Sequence, residues 1–287
     1  MRFDWYQATV GVEPAVLIGT LAQYYGAGHE VEEGRGLHGY RQRFSVCDRQ
    51  GAVKASVLCG GNRDAWPNAW ASGYDTDAFV DVIRGEFAGK HVVTRCDASE
   101  DFAAPDAYTK LRAAVRAAAR GAGVKCREIL PDEDPEAGRT YYAGAPSSAV
   151  RARVYDKGRQ LRAMLPPEKA AEIPEDLTRI EVQVRPKGES RQIAARIEAA
   201  EVWGFAGWTK VAAVNALALD VPRVSIRPWR ESDDERAYRF LLRQYGPLLA
   251  RLMPDYGSWA ALGSQVGYDL GEMAKADRVM RACRGRG

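Results

Sequence analysis

The chain reads as an α+β protein: an antiparallel sheet covered on one face by helices, followed by a helical C-terminal extension. Three observations predict this. Several short segments alternate apolar and polar residues with the two-residue period of a half-exposed strand. Between them lie stretches with helical spacing and helix-ending signals. From about position 228 onward the pattern is almost entirely helical, which divides the chain into an α+β domain over 1–227 and an extension over 228–287.

Taken in order, Phe3 to Val10 is rich in aromatic and β-forming residues and reads as a strand. Pro14 to Tyr25 reads as a helix, with proline in its first turn and Gly26 after its end. Tyr40–Cys47 and Val53–Cys59 form a hairpin across Asp48-Arg49-Gln50-Gly51. Asp75–Arg84 is helical, Val92–Asp101 is a strand, and Ala107–Gly121 is an alanine-rich helix carrying Arg112, Arg116 and Arg120 on one side. Pro131–Glu136 is an acidic loop. Thr140–Tyr142 and Val150–Asp156 make a second hairpin, then come helix Gly158–Leu165, a strand at Arg179–Arg185 and a long helix near Glu189–Val202. Helices Asp233–Leu252 and Trp259–Arg281 complete the chain, and no internal repeat is visible.

At 287 residues and 46% hydrophobic, the chain can bury a substantial core. Its net charge of +3 means that any site for a polyanion must come from local placement of cations. Five scattered cysteines without a CxxC pair argue against a disulfide framework or a zinc cluster. The N-terminus lacks the apolar core of a signal peptide, and no apolar run reaches the roughly 20 residues that span a bilayer, so a cytoplasmic protein without a membrane partner is expected.

Three strands share a one-sided polarity. Arg151, Arg153, Tyr155 and Lys157 point one way, against Val150, Ala152 and Val154. Arg179, Glu181, Gln183 and Arg185 oppose Ile180, Val182 and Val184. Arg95, Asp97, Ser99 and Asp101 oppose Val92, Cys96 and Ala98, with His91 predicted on the Asp97 face. If the strands are neighbours, a tyrosine, several carboxylates and many cations converge, a combination suited to binding and cutting a phosphodiester. Close carboxylates repel, and Mg²⁺ or Mn²⁺ is the natural counter-ion for Asp97, Glu181 and Asp101. Tyr155 would be the nucleophile, with Arg153 and Lys157 favouring its phenolate. The bland alternative is a wet sheet face on which a tyrosine merely packs and Asp97 makes a surface ion pair.

Six short motifs occur in order: Asp4-Trp5, Gly36-Leu37-His38-Gly39-Tyr40, Thr94-Arg95-Cys96-Asp97 with Asp101, Tyr142-Ala143-Gly144 with Ser148, Arg153-Val154-Tyr155-Asp156-Lys157, and Arg179-Ile180-Glu181-Val182-Gln183. Over roughly residues 3 to 255 the chain resembles the Rep_trans-type replication initiation factors, rolling-circle initiators of small plasmids and filamentous phages. The resemblance implies an HUH-like, ferredoxin-type catalytic sheet and a metal-dependent nicking and closing enzyme. Mapped by motif, Tyr155 attacks the origin strand and leaves a 5′-phosphotyrosine link. Asp97 and Glu181, with Asp101, hold the Mg²⁺ or Mn²⁺, while Arg153, Lys157 and Arg179 hold phosphates. It also implies double-stranded origin DNA and the nicked single strand as partners, a homodimer, and a host superfamily 1 helicase. A His-x-His pair is absent, since His29, His38 and His91 are scattered, so carboxylates would carry more of the metal ligation.

Arg95, Arg151 and Arg185 add cations to the same face as candidate DNA contacts. Arg223 and Arg227, in Arg-Val-Ser-Ile-Arg-Pro-Trp-Arg, are the best candidates for origin contact outside it. The Arg112/Arg116/Arg120 stripe could track a DNA backbone, although a solvated helix face accounts for it more simply. Gly34-x-Gly36-x-x-Gly39 precedes a hairpin and so reads as turn glycines, not a dinucleotide loop. Trp203, Phe205 and Trp208 read as core. A non-catalytic DNA-binding repressor on a degenerate initiator fold is the rival reading.

Overall fold

The computed structural model of the protein describes residues 1–61, 66–130, 138–224 and 233–284. The Arg227 candidate and the acidic stretch at 131–136 lie outside the described residues. Among those described, ten strands form one antiparallel sheet: β1 (Arg2–Val10), β2 (His29–Arg35), β3 (Gln42–Asp48), β4 (Val53–Cys59), β5 (Asn68–Ser72), β6 (His91–Ala103), β7 (Cys126–Ile129), β8 (Thr140–Ala143), β9 (Val150–Tyr155) and β10 (Leu177–Val184). Their spatial order is β2-β3-β4-β5-β1-β6-β10-β9-β8-β7. This is the α+β architecture expected from the alternating pattern.

The order divides into two five-stranded halves, each beginning with a central strand and a helix. The first is β1, α1 (Pro14–Tyr25) and the meander β2 to β5; the second is β6, α3 (Ala107–Gly121) and the run β7 to β10. β1 and β6 pair antiparallel at the middle and join the halves. The sequence shows no repeat, yet the topology does. β2 and β7 escaped the sequence reading because they are the sheet edges: β7 is short and β2 is dominated by charge, so neither alternates cleanly.

One face of the sheet carries the core. Tyr6, Ala8 and Val10 of β1, Cys96 and Ala98 of β6, and Ile180, Val182 and Val184 of β10 form one buried cluster with Leu17 and Leu21 of α1, which covers β2 to β4. Phe79 and Ile83 of α2 (Thr76–Glu86), Leu111 and Val115 of α3, and Ala212 and Ala213 of α7 (Gly207–Leu217) complete the layer. Trp203 and Phe205 are buried in it and Trp208 packs against it, as expected of core residues. The shorter helices are α4 (Lys157–Met164), α5 (Pro167–Ala170) and α6 (Ser190–Ala194). The long helix expected near 189–202 is broken. α6 stops at Ala194, and Glu198 opens a separate turn by donating its backbone N–H to Glu201 Oε2 at 2.8 Å. That turn runs against the Pro222 carbonyl, which a Cβ on Gly204 would meet at 2.2 Å.

Two bulges shape the centre of the sheet. Phe3 pairs with Ala98 and Trp5 with Asp97, so Asp4 is an extra residue in β1. Gln7 pairs with Arg95 and Ala8 with Val93, so Thr94 is an extra residue in β6. The second bulge corrects a sequence expectation: His91 does not share the Asp97 face. It lies with Val93 on the core side, where Nδ1 faces the Phe87 carbonyl at 2.9 Å and Nε2 the Tyr6 hydroxyl at 3.3 Å.

The chain forms two compact units, 1–227 and 228–287. The second consists of α8 (Asp233–Tyr256) and α9 (Trp259–Arg284). No helix among the described residues is long and apolar enough to cross a membrane.

Candidate active site

The three polar strands are neighbours, with β10 lying between β6 and β9. Their register sets the candidate side chains in rows on the face away from the core. Arg179 sits between Asp101 and Tyr155, Glu181 between Ser99 and Arg153, and Gln183 between Asp97 and Arg151. Adjacent residues on one face of an antiparallel pair have Cβ atoms about 5 Å apart, so each row is in contact range. Sequence alternation thus placed Tyr155, Arg153, Glu181, Asp97 and Arg179 together correctly.

This face is far drier than a wet sheet surface. Asp97 and Glu181 are each 1% exposed, Arg179 is 2% and Tyr155 is 7% exposed. Buried charges persist when paired, and here each carboxylate has a guanidinium. Arg95 Nε lies 3.0 and 3.1 Å from the two oxygens of Asp97, and its Nη2 also bonds Asp97. Arg179 takes Asp101 in a fork at 2.5 and 2.6 Å and reaches Asp4 through Nη1 at 2.7 Å. Arg153 Nη2 lies 2.7 Å from Glu181 Oε2, although that oxygen makes no aligned hydrogen bond. The Ser99 hydroxyl, directly across from Glu181, is also without a hydrogen-bond partner among the described residues. The network sets the Gln183 amide with its oxygen toward Arg95 Nε, at 2.7 Å, and Arg185 Nη2, at 3.2 Å.

The electrostatics follow from burial. Asp97 is pushed from 3.8 up to about 7, first by desolvation, which outweighs the Arg95 ion pair, and further by the negative charge of Glu181. Tyr155 is also raised, first by desolvation and then by Glu181, against the lowering pull of Arg153 and Arg179. Arg153 lies 4.9 Å and Lys157 Nζ 5.9 Å from the centre of the Tyr155 ring. This reverses the expectation that nearby cations favour the phenolate, because the same burial that brings the cations close strips water from the oxygen. Lys157 is itself lowered by desolvation and by Arg179, and donates to Gln160 Oε1 at 2.9 Å.

The three-carboxylate metal set is not formed. Asp101 is tied through Arg179 to Asp4, apart from the Asp97–Glu181 pair, and Asp97 has both oxygens engaged by Arg95. Among the described residues no group of three His, Cys, Asp or Glu side chains is disposed to hold a metal ion. Guanidinium groups supply the positive charge that a divalent ion was expected to bring.

The remaining candidate cations fall in different settings. Arg95 stacks over Trp5 at 4.3 Å, and Trp5 stacks on Trp70 with ring centres 6.3 Å apart. Arg151 covers the Tyr142 ring at 4.0 Å, and desolvation lowers its pKa. Arg185 Nη1 donates to the Pro146 carbonyl at 2.8 Å, and Arg223 Nη1 to the Gly204 carbonyl at 2.8 Å, a contact that ties down chain. Asp4, Ser99 and Gln183 belong to the site and were missed as site residues. Asp4 is a bulge residue, and a bulge leaves no trace in a two-residue period.

No family model matches the chain, and no curated protein matches it in sequence. A solved structure described as a rolling circle replication initiator protein from Geobacillus stearothermophilus aligns with 81% of this chain and 89% of its own, at 19% identity and a TM-score of 0.48.

Proposed function

We propose that the chain is a replication initiator of the rolling-circle type, a DNA nickase and strand transferase in which Tyr155 is the nucleophile. The observation that carries this reading is the setting of Tyr155: a tyrosine in a dry row with Arg179, flanked by Arg153 and Lys157, beside a buried glutamate. A phosphodiester entering there would place its anionic oxygens among the cations, which stabilise the charge that builds as the phosphorus is attacked. The Tyr155 oxygen forms a bond to phosphorus while the bond to the 3′ oxygen breaks. The products are a 5′-phosphotyrosine link and a free 3′-hydroxyl, which requires a proton. The phenol proton passes to Glu181, whose charge Tyr155 senses, and the departing 3′ oxygen takes a proton from solvent water. The reverse attack by a 3′-hydroxyl closes the strand. Because the carboxylates are tied to arginines, no step is assigned to Mg²⁺ or Mn²⁺.

One observation favours a second reading. The tyrosine is buried and its proton firmly held, as a non-catalytic DNA-binding protein on the same fold would tolerate. Incubation with supercoiled plasmid carrying the cognate origin, followed by denaturing electrophoresis, separates the two. The nickase yields a protein–DNA adduct that Tyr155→Phe abolishes while duplex affinity stays within about twofold. Wild-type protein that binds the origin and forms no adduct in the presence or absence of Mg²⁺ or Mn²⁺ would establish the second reading instead.

A further inference from the structure

A cavity of about 350 Å³ opens at the free edge of the sheet, where α3 meets β7. Arg112, Arg116 and Arg120 line it from one side of α3 and Arg127 from β7. The single carboxylate in its lining, Glu128, is already engaged: it accepts from the Tyr108 hydroxyl at 3.0 Å and from Arg112 Nη2. Among the described residues, Arg116, Arg120 and Arg127 have no carboxylate within ion-pair distance. A second, independent feature points to a ligand. Tyr141 is 3% exposed and lines the cavity with its hydroxyl beside the Cys126 thiol, and the buried Arg112 Nε makes no hydrogen bond. An orphaned buried Nε beside three guanidiniums that have no carboxylate partner among the described residues makes a cradle for an anion with several oxygens.

We propose that this cavity is a phosphate-binding site for the backbone of duplex DNA, an inference that rests on the DNA-directed function above but not on Tyr155. Arginines four residues apart advance about 6 Å per step along a helix, so Arg112 to Arg120 span roughly 12 Å. A duplex presents one phosphate per strand every ~3.4 Å of axis, so that span meets a short run of backbone. The ring in the lining is buried and offers no face for a base to stack on, which favours a duplex over a single strand.

The test is the salt dependence of binding of the full chain to a labelled duplex of about 20 base pairs, read by anisotropy between about 50 and 200 mM salt. Arg120→Ala/Arg127→Ala changes two exposed side chains, and a thermal melt confirms that it folds. Its log–log slope should be smaller in magnitude by about 1.8, so the affinity lost across that range shrinks roughly tenfold; the Arg→Lys pair should keep the wild-type slope. An unchanged slope in the alanine variant overturns the proposal. Inorganic phosphate serves as the second probe: if it raises the wild-type melting temperature through these arginines while duplex affinity ignores them, the assignment to DNA falls. Tyr155→Phe should keep the wild-type slope, so a failed nicking assay and a failed phosphate site give separate results.

Discussion

Burial makes Tyr155 a weaker acid than a free phenol, so the fate of its proton decides its reactivity. With Glu181 accepting that proton, adduct formation should be nearly flat between pH 7 and 9. In Glu181→Gln the rate should fall about 100-fold or more at pH 7 and then climb about tenfold per pH unit, because the phenolate alone reacts and its fraction grows by that factor below the pKa. Initial rates of adduct formation measure both slopes, and a flat profile in the glutamine variant would remove Glu181 from the role. Asp97 makes a separate prediction about stability. Its folded pKa, about 7, is above its unfolded value, so the folded state holds the proton more tightly. Stability from this group is fully present below about pH 4 and lost as pH rises through 7. Asp97→Asn removes that dependence, so the variant should gain on wild type from pH 5 to 8, by at most about 3 kcal/mol, in urea titrations. A constant difference between the two proteins contradicts the raised pKa. The side chains themselves were legible, since alternation alone put Tyr155, Glu181 and Asp97 on one face. The Arg179–Asp4 pair was not: the two are 175 positions apart, and no local pattern links them.

β9 and β10 were readable as elements because each keeps one apolar face against the helices, and β6 because its Cys96–Asp101 stretch alternates. What escaped was the bulging of β1 and β6, which moves His91 to the core and releases Asp4 toward Arg179. That arginine clamps three strands, holding Asp4 of β1 and Asp101 of β6 from its own place in β10. Arg179→Ala strips Asp101 of its fork and leaves Asp4 with Arg2 alone, at 3.5 Å, and should cost about 2 kcal/mol or more. Asp4→Asn should cost less, because Asp101 retains its fork to the guanidinium. Thermal unfolding of the two variants orders the losses, and equal losses would show that the clamp acts through Asp4 alone. The turn that joins β8 to β9, and so sets the height of Tyr155, depends on Gly144. Its φ is 94°, and a Cβ there would meet the Val150 carbonyl at 2.9 Å. Position 144 therefore tolerates no side chain without moving the strand that carries Tyr155.

At the scale of the molecule, the sheet is two similarly ordered halves that meet along β1 and β6, and the candidate active site lies in the second except for Asp4 of β1. The site abuts the seam, since Asp97 and Arg95 of β6 pair with Trp5 and Gln7 of β1. The first half therefore buttresses the site with β1, the bulged Asp4 and the Trp5–Trp70 stack. Sequence divergence hid this arrangement because the halves share connectivity, which is a property of backbone order, and not a residue pattern. Among the described residues, the core cluster of the first unit runs continuously from Phe3 to Val224. A domain with its own continuous core is expected to fold alone. A fragment comprising residues 1–227 should therefore unfold in a single cooperative transition and should keep the Tyr155-dependent adduct on origin DNA. Far-ultraviolet circular dichroism on heating, followed by the adduct assay, measures both. A fragment that melts without a sharp transition would make the C-terminal helices part of the folding unit. A fragment that folds but forms no adduct would place a requirement for cleavage in residues 228–287, beyond the sheet that holds Tyr155.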